Sequence, residues 1–246
     1  MIYMHYTLMS ILAIILGQVT KHLCKKMPDW VEEKISFKEY LETLKHDFKI
    51  DIKYTIIYLI LYNLLIYMQG FSYVTMLYAF CIFSLAIVFS IDYRYQLIPD
   101  ECHIIIIAVA LINIGFNLNL WYEYFIGAVI GGGSFYLLGM LALLIYKKEG
   151  MGFGDVKLMA SLGLLFGIKK ILVITILSFA IGAVISIILM IFRFKKMDSY
   201  IPFGPFIVIA TILIMYFDTD LFINAYYSLC MWLGTGITDL IYKIMN

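Results

Sequence analysis

The chain has 246 residues, 63% of them hydrophobic and 14% charged, with a formal net charge of +1 and a mean hydropathy of +0.94. Soluble domains are about 45–50% apolar and about 25% charged, so this composition excludes a water-soluble globular class and points to an integral membrane protein. The near-neutral charge offers no argument for a nucleic-acid partner, and the scattered Cys24, Cys81, Cys102 and Cys230 form no CxxC pair, so neither a zinc ribbon nor a disulfide framework is expected.

The first apolar run, 2–20, has no basic residue ahead of it and no small-x-small site behind it, so it is expected to be retained as a span rather than removed as a signal. A soluble segment follows from about 24 to 52. Trp30, Val31, Ile35, Leu41, Leu44 and Phe48 give it a helical stripe, and Ser36 with Glu39 suits a capping box, so an amphipathic helix on the cytoplasmic leaflet is expected. Further apolar runs lie at 54–69, 71–91, 104–121, 124–146, 156–168, 171–192, 203–217 and 221–242. The run at 156–168 is short and contains Gly163 and Gly167, which suggests a tilted, broken or partly inserted helix. Gly127, Gly131, Gly132 and Gly133 suggest close helix contact in the fifth run.

These runs predict an all-α, polytopic membrane helical bundle with about eight transmembrane segments, nine if the last run crosses, and a short amphipathic cytoplasmic segment. Two regions are expected: 1–53, with the first span and the soluble segment, and a membrane-embedded domain over 54–246. With the N-terminus outside and every run crossing, all of the 18 basic residues except Lys169 and Lys170 face the cytoplasm, in accord with the positive-inside rule. Pro28, Pro99, Pro202 and Pro205 then fall in cytoplasmic connections, where water satisfies the carbonyls that a missing N–H leaves open.

Two of those connections hold acids at helix ends: SIDYRYQLIPDE at 90–101 and GMGFGDVKLMA at 150–160. Asp92 closes the third run and Asp155 opens the sixth, at similar depth on the same side. Ionisable groups at membrane depth are costly, and one reason to keep two is chemistry. Neighbouring carboxylates share a proton, so one can take a proton from water while the other donates one. Gly150, Gly152 and Gly154 would let an extended peptide lie against the loop. At a helix N-terminus the dipole favours charge on Asp155 while desolvation opposes it. The plain alternative is an N-cap for Asp155 and a solvated helix end for Asp92.

Three blocks together resemble the type IV prepilin peptidase family, membrane aspartic proteases of the GxGD kind: DYRYQLIPD at 92–100, GMGFGDVKLMASLG at 150–163 and IPFGPF at 201–206. The resemblance covers about 70–217, and it implies that Asp92 and Asp155 are the catalytic pair. It further implies cleavage of the basic leader from a prepilin or pseudopilin precursor at the cytoplasmic face of a prokaryotic inner membrane, with the precursor and the lipid bilayer as partners. Gly152, Gly154, Lys157, Arg94, Asp100, Pro202 and Gly204 fall in these blocks as supporting residues. Asp100 is favoured as a helix cap; Lys157 could pair with Asp155, Asp100 or lipid phosphate; Arg94 could tune the charge of Asp92 or snorkel to headgroups; and the Pro202–Gly204 loop is expected to shape the site.

Members of that family that also methylate the new N-terminus carry two CxxC pairs near the first span, and this chain has neither. The peptidase is expected to need no cofactor, and S-adenosylmethionine enters only if methylation is retained. His22, Cys24, Cys102 and His103 have zinc-ligand chemistry, but HxC and CH are unusual spacings and no metal is expected. A transporter using both acids should hold them near the midplane of paired repeats, which are absent here. A presenilin-like GxGD protease should show Tyr-Asp and Pro-Ala-Leu blocks, whereas Ile91 precedes Asp92.

Overall fold

A computed structural model describes residues 2–33, 52–147, 151–192, 201–228 and 230–231. The helices are α1 (Ile2–Glu33), α2 (Ile52–Gln69), α3 (Tyr73–Tyr95), α4 (Asp100–Phe116), α5 (Trp121–Tyr146), α6 (Phe153–Ile191), α7 (Gly204–Tyr216) and α8 (Thr219–Ser228), with a 3₁₀ turn at Leu118–Leu120. No strand occurs among the described residues. The molecule is thus a polytopic membrane helical bundle. Most of the amphipathic segment expected at 24–52, the motif residue Gly150, and the last run beyond residue 231 lie outside the described residues.

Apart from the charged second half of α1, the helices are apolar nearly all round, and what separates inside from outside is residue size and hydrogen bonding. Ile60, Val129 and Leu144 are among many large aliphatic side chains on the outer surface, where a soluble protein would carry charge. The central helix is α3, whose Ala79, Cys81, Ile82, Leu85, Ile87, Val88 and Ile91 are fully buried. It packs against α1, α2, α4 and α7. Polar atoms within this interior are taken up locally: the Tyr62 hydroxyl donates to the Ala79 carbonyl at 2.8 Å, and Tyr58 shares a 2.8 Å hydrogen bond with Thr20.

The α6 helix is folded upon itself. Gly167 adopts φ 73°, ψ −177°, open to glycine alone. In a straight helix Met159 and Ile171 would stand about 18 Å apart, yet both touch Gly131 of α5. The two limbs, before and after Gly167, therefore run back along the same neighbour. Contact is closest where Gly127 crosses Gly163, since a Cβ on Gly163 would fall against the Gly127 carbonyl oxygen, nearer than at any other described glycine. Gly131 and Gly132 make similar approaches, whereas Gly133 faces open space.

Five described helices are long and apolar enough to cross a membrane, or six if the pair Gly204–Tyr216 and Thr219–Ser228, bent by 110°, is one broken span. This count takes α6 once although the chain reverses at Gly167, and it passes over α4, so it does not decide the expectation of about eight segments. The α4 helix has 17 residues, about 26 Å of rise and just short of a bilayer core. The runs at 156–168 and 171–192 join without a loop because glycine lets the chain reverse within one residue.

Candidate active site

Both aspartates lie at one end of the bundle. The last turn of α3 carries Asp92, which is 5% exposed, and the first turn of α6 carries Asp155, also 5% exposed. They are near enough for the charge of Asp92 to act on Asp155. Lys169 and Lys170 lie beside the Gly167 reversal, away from the α6 start, and bond to Asp220 and to the Tyr78 hydroxyl near the start of α3.

Asp92 is held from a third element. The N-terminus of α7 meets its carboxylate, and the Gly204 backbone N–H donates to Asp92 Oδ2 at 3.0 Å. Pro205 in the first turn of α7 lacks an N–H, which is no loss where helical donors have no partner. A Cβ on Gly204 would lie 2.5 Å from Asp92 Oδ2, so only glycine admits this approach. The IPFGPF block thus binds a catalytic candidate as well as shaping the site, a role its local sequence does not display.

Asp155 is the third residue of α6, whose N-cap is Gly152. Its N–H donates to the Gly152 carbonyl at 3.1 Å, and its carboxyl reaches back toward the Gly152 backbone in the manner of half a capping box. Oδ1 of Asp155 is buried and has no hydrogen-bond partner. An unpaired buried carboxylate oxygen within reach of a second acid's charge is unexpected for a mere cap.

The stretch from Ile98 to His103 locks onto the first turn of α6. The Ile98 side chain fills the space beside Gly154, where a Cβ would come within 3.1 Å of it. Gly154 therefore makes room for the protein's own Ile98. Of the partners open to Lys157, Asp100 is the one it takes, at 2.8 Å from Nζ to Oδ1. Lys157 pulls the exposed Asp100 carboxyl below its ordinary range. Asp100 is the first residue of α4 but makes no side-chain cap, since the N-cap is Pro99. Arg94 is exposed, and its charge reaches Cys24 and Tyr54 rather than Asp92. His103 Nε2 lies 3.2 Å from the Gly154 carbonyl oxygen, a contact that sequence reading missed. Only its spacing of three from Asp100, one face of α4, hinted at it.

Residues 78–187 match the model of the Type IV leader peptidase family. That stretch holds both aspartate blocks, while IPFGPF lies beyond it. The chain is 34% identical over 132 residues to the prepilin leader peptidase/N-methyltransferase of Xanthomonas campestris pv. campestris, covering 53% of this chain and 46% of the relative. It is 36% identical over 121 residues to the protein of the same name in Pseudomonas aeruginosa, covering 49% of this chain and 42% of the relative. A like-named protein of Legionella pneumophila is 29% identical over 160 residues, or 64% of this chain and 55% of the relative. The chain thus spans about half the length of the curated relatives it matches. No solved structure matches it.

Proposed function

We propose that this chain, whose residues 78–187 match the type IV leader peptidase family, is a membrane aspartic endopeptidase that removes the basic leader from prepilins or pseudopilins. One observation carries the reading. Two buried acids from helices far apart in sequence meet at one end of the bundle, and one of them keeps a carboxyl oxygen without a partner.

Chemistry follows from the shared proton. Asp92, whose Oδ2 accepts from Gly204 at the positive end of α7, is assigned the ionised role and takes a proton from the attacking water. Asp155 is assigned the protonated role and donates from its unpartnered oxygen to the scissile carbonyl. The proton now on Asp92 passes to the leaving amine as the C–N bond breaks, and Asp155 takes back a proton from the hydroxyl it had protonated as the carbonyl re-forms. The precursor's apolar helix lies in the bilayer beside the bundle, and its leader reaches the acids at the cytoplasmic face of a prokaryotic inner membrane. The charge asymmetry supports this orientation, with the N-terminus outside.

The relatives' printed names favour a second activity, methylation of the new N-terminus. S-adenosylmethionine would then be the methyl-donating substrate. Two described cavities, one lined by Tyr73, Asn113, Tyr124 and Lys170 and one by Leu172, Ile176, Phe222 and Tyr226, carry no carboxylate to grip a ribose and do not fit it.

Wild type, Asp92→Asn and Asp155→Asn in liposomes, given a prepilin peptide with S-adenosylmethionine, provide the test, with products weighed by mass spectrometry. Cleavage by wild type and its loss in both variants, at unchanged abundance, is the expected outcome. Cleavage that survives in either variant overturns the dyad, and a methyl group on the product establishes the second activity.

A further inference from the structure

His103 belongs to no motif of the two aspartates, yet it is 4% exposed and lies between the Gly154 carbonyl and the solvent-facing ion pair of Asp100 with Lys157. Its Nε2 lies 3.2 Å from the Gly154 carbonyl oxygen, and its Nδ1 lies 3.5 Å from Asp100 Oδ1 without a hydrogen-bond partner. A carbonyl only accepts, so the contact with Gly154 requires the proton on Nε2, a tautomer assigned from this network. The Gly154 carbonyl shares a peptide plane with the Asp155 N–H, one bond from the carbon that carries the acid.

Three contacts seat α4 and its lead-in on the first turn of α6, and they differ in kind. The Asp100–Lys157 pair has side chains 68% and 42% exposed, so water screens it and it holds the elements only weakly. Ile98 against Gly154 is apolar and sets no direction. The bond from His103 is buried and directional.

We infer that His103 is a positioning residue: its Nε2–H holds the Gly154 carbonyl, and through that peptide plane it fixes the direction in which Asp155 faces Asp92. It touches none of the reacting atoms. Its effect on rate rests on the peptidase reading, whereas its effect on the α6 turn does not. A displaced acid costs turnover without weakening substrate binding, so loss of the bond falls on kcat and spares KM.

Glutamine and asparagine separate the two ring contacts, because a glutamine amide reaches where Nε2 sits and an asparagine amide reaches only to Nδ1. His103→Gln is expected to keep kcat within about threefold of wild type, and His103→Asn and His103→Ala to lower it about ten- to a hundredfold at little-changed KM. Hydrogen exchange over 151–157, read by mass spectrometry on the full chain in detergent, is expected to quicken in the Asn and Ala variants and to stay native in the Gln variant. Equal behaviour of Gln and Asn, activity kept in Asn but lost in Gln, or unchanged exchange in Ala would overturn the inference. If His103→Ala does not fold, the Gln and Asn pair carries the comparison. A wild type that cleaves nothing while exchange follows this pattern sinks the peptidase reading and leaves the positioning role standing.

Discussion

A carboxylate withdrawn from water costs free energy unless donors surround it, and the two acids here meet that cost unequally. Asp92 has the Gly204 N–H, whereas Oδ1 of Asp155 has nothing. Gly204 thus sets the environment of Asp92. Gly204→Ala would place a methyl 2.5 Å from Asp92 Oδ2 and force α7 to retreat. The expected result is a loss of cleavage of at least about tenfold with destabilisation of about 1–3 kcal/mol, checked by leader cleavage and thermal unfolding. Lys157→Ala removes an exposed ion pair and an exposed contact with the Phe153 ring, so stability should fall by no more than about 1–2 kcal/mol, checked by thermal unfolding. Of these residue-level facts, the placement of both acids at the ends of apolar runs was legible in the sequence, where ionisable groups are few and costly. The partners Gly204 and His103 were not legible, because nothing near Asp92 or Asp155 in the chain names them.

Helices in lipid gain nothing from hiding apolar faces, so close packing and satisfied backbone decide which elements meet. Glycine governs this at the α5–α6 contact, where Gly127 crosses Gly163, and at the Gly167 reversal. Gly167→Ala would put a side chain at φ 73°, ψ −177° and should destabilise by about 1–3 kcal/mol. Gly133→Ala, with nothing within 4 Å of the added carbon, should not, and thermal unfolding of the two variants side by side checks the contrast. Gly163 and Gly167 marked the sixth run as irregular from sequence. That the irregularity is a reversal is a three-dimensional fact, shown by Met159 and Ile171 both touching Gly131.

At the scale of the molecule, the acids lie at one end and Lys169 with Lys170 beside the Gly167 reversal. With Cys230 replaced by serine, a cysteine at Lys169 should react with an impermeant thiol reagent from outside, and one at Tyr95 should react from the cytoplasmic side. Labelling of both positions from one side would overturn the proposed threading. Apolar run length alone does not fix the number of crossing segments. Composition reports apolar length, while a bent pair such as α7 with α8, at 110°, uses that length without necessarily making two passages.

What the amino-acid sequence determined by itself is the membrane class, the helical fold, the family resemblance and the two acids, because composition, run length and motif spacing are local properties of the chain. The tertiary structure alone decided that an N–H 112 residues away holds Asp92, that Asp100 rather than Asp155 takes Lys157, that Ile98 fills the space beside Gly154, and that His103 Nε2 meets the Gly154 carbonyl. Those pairings depend on which helices pack together, and packing is set by the fit of whole surfaces rather than by any one stretch of sequence.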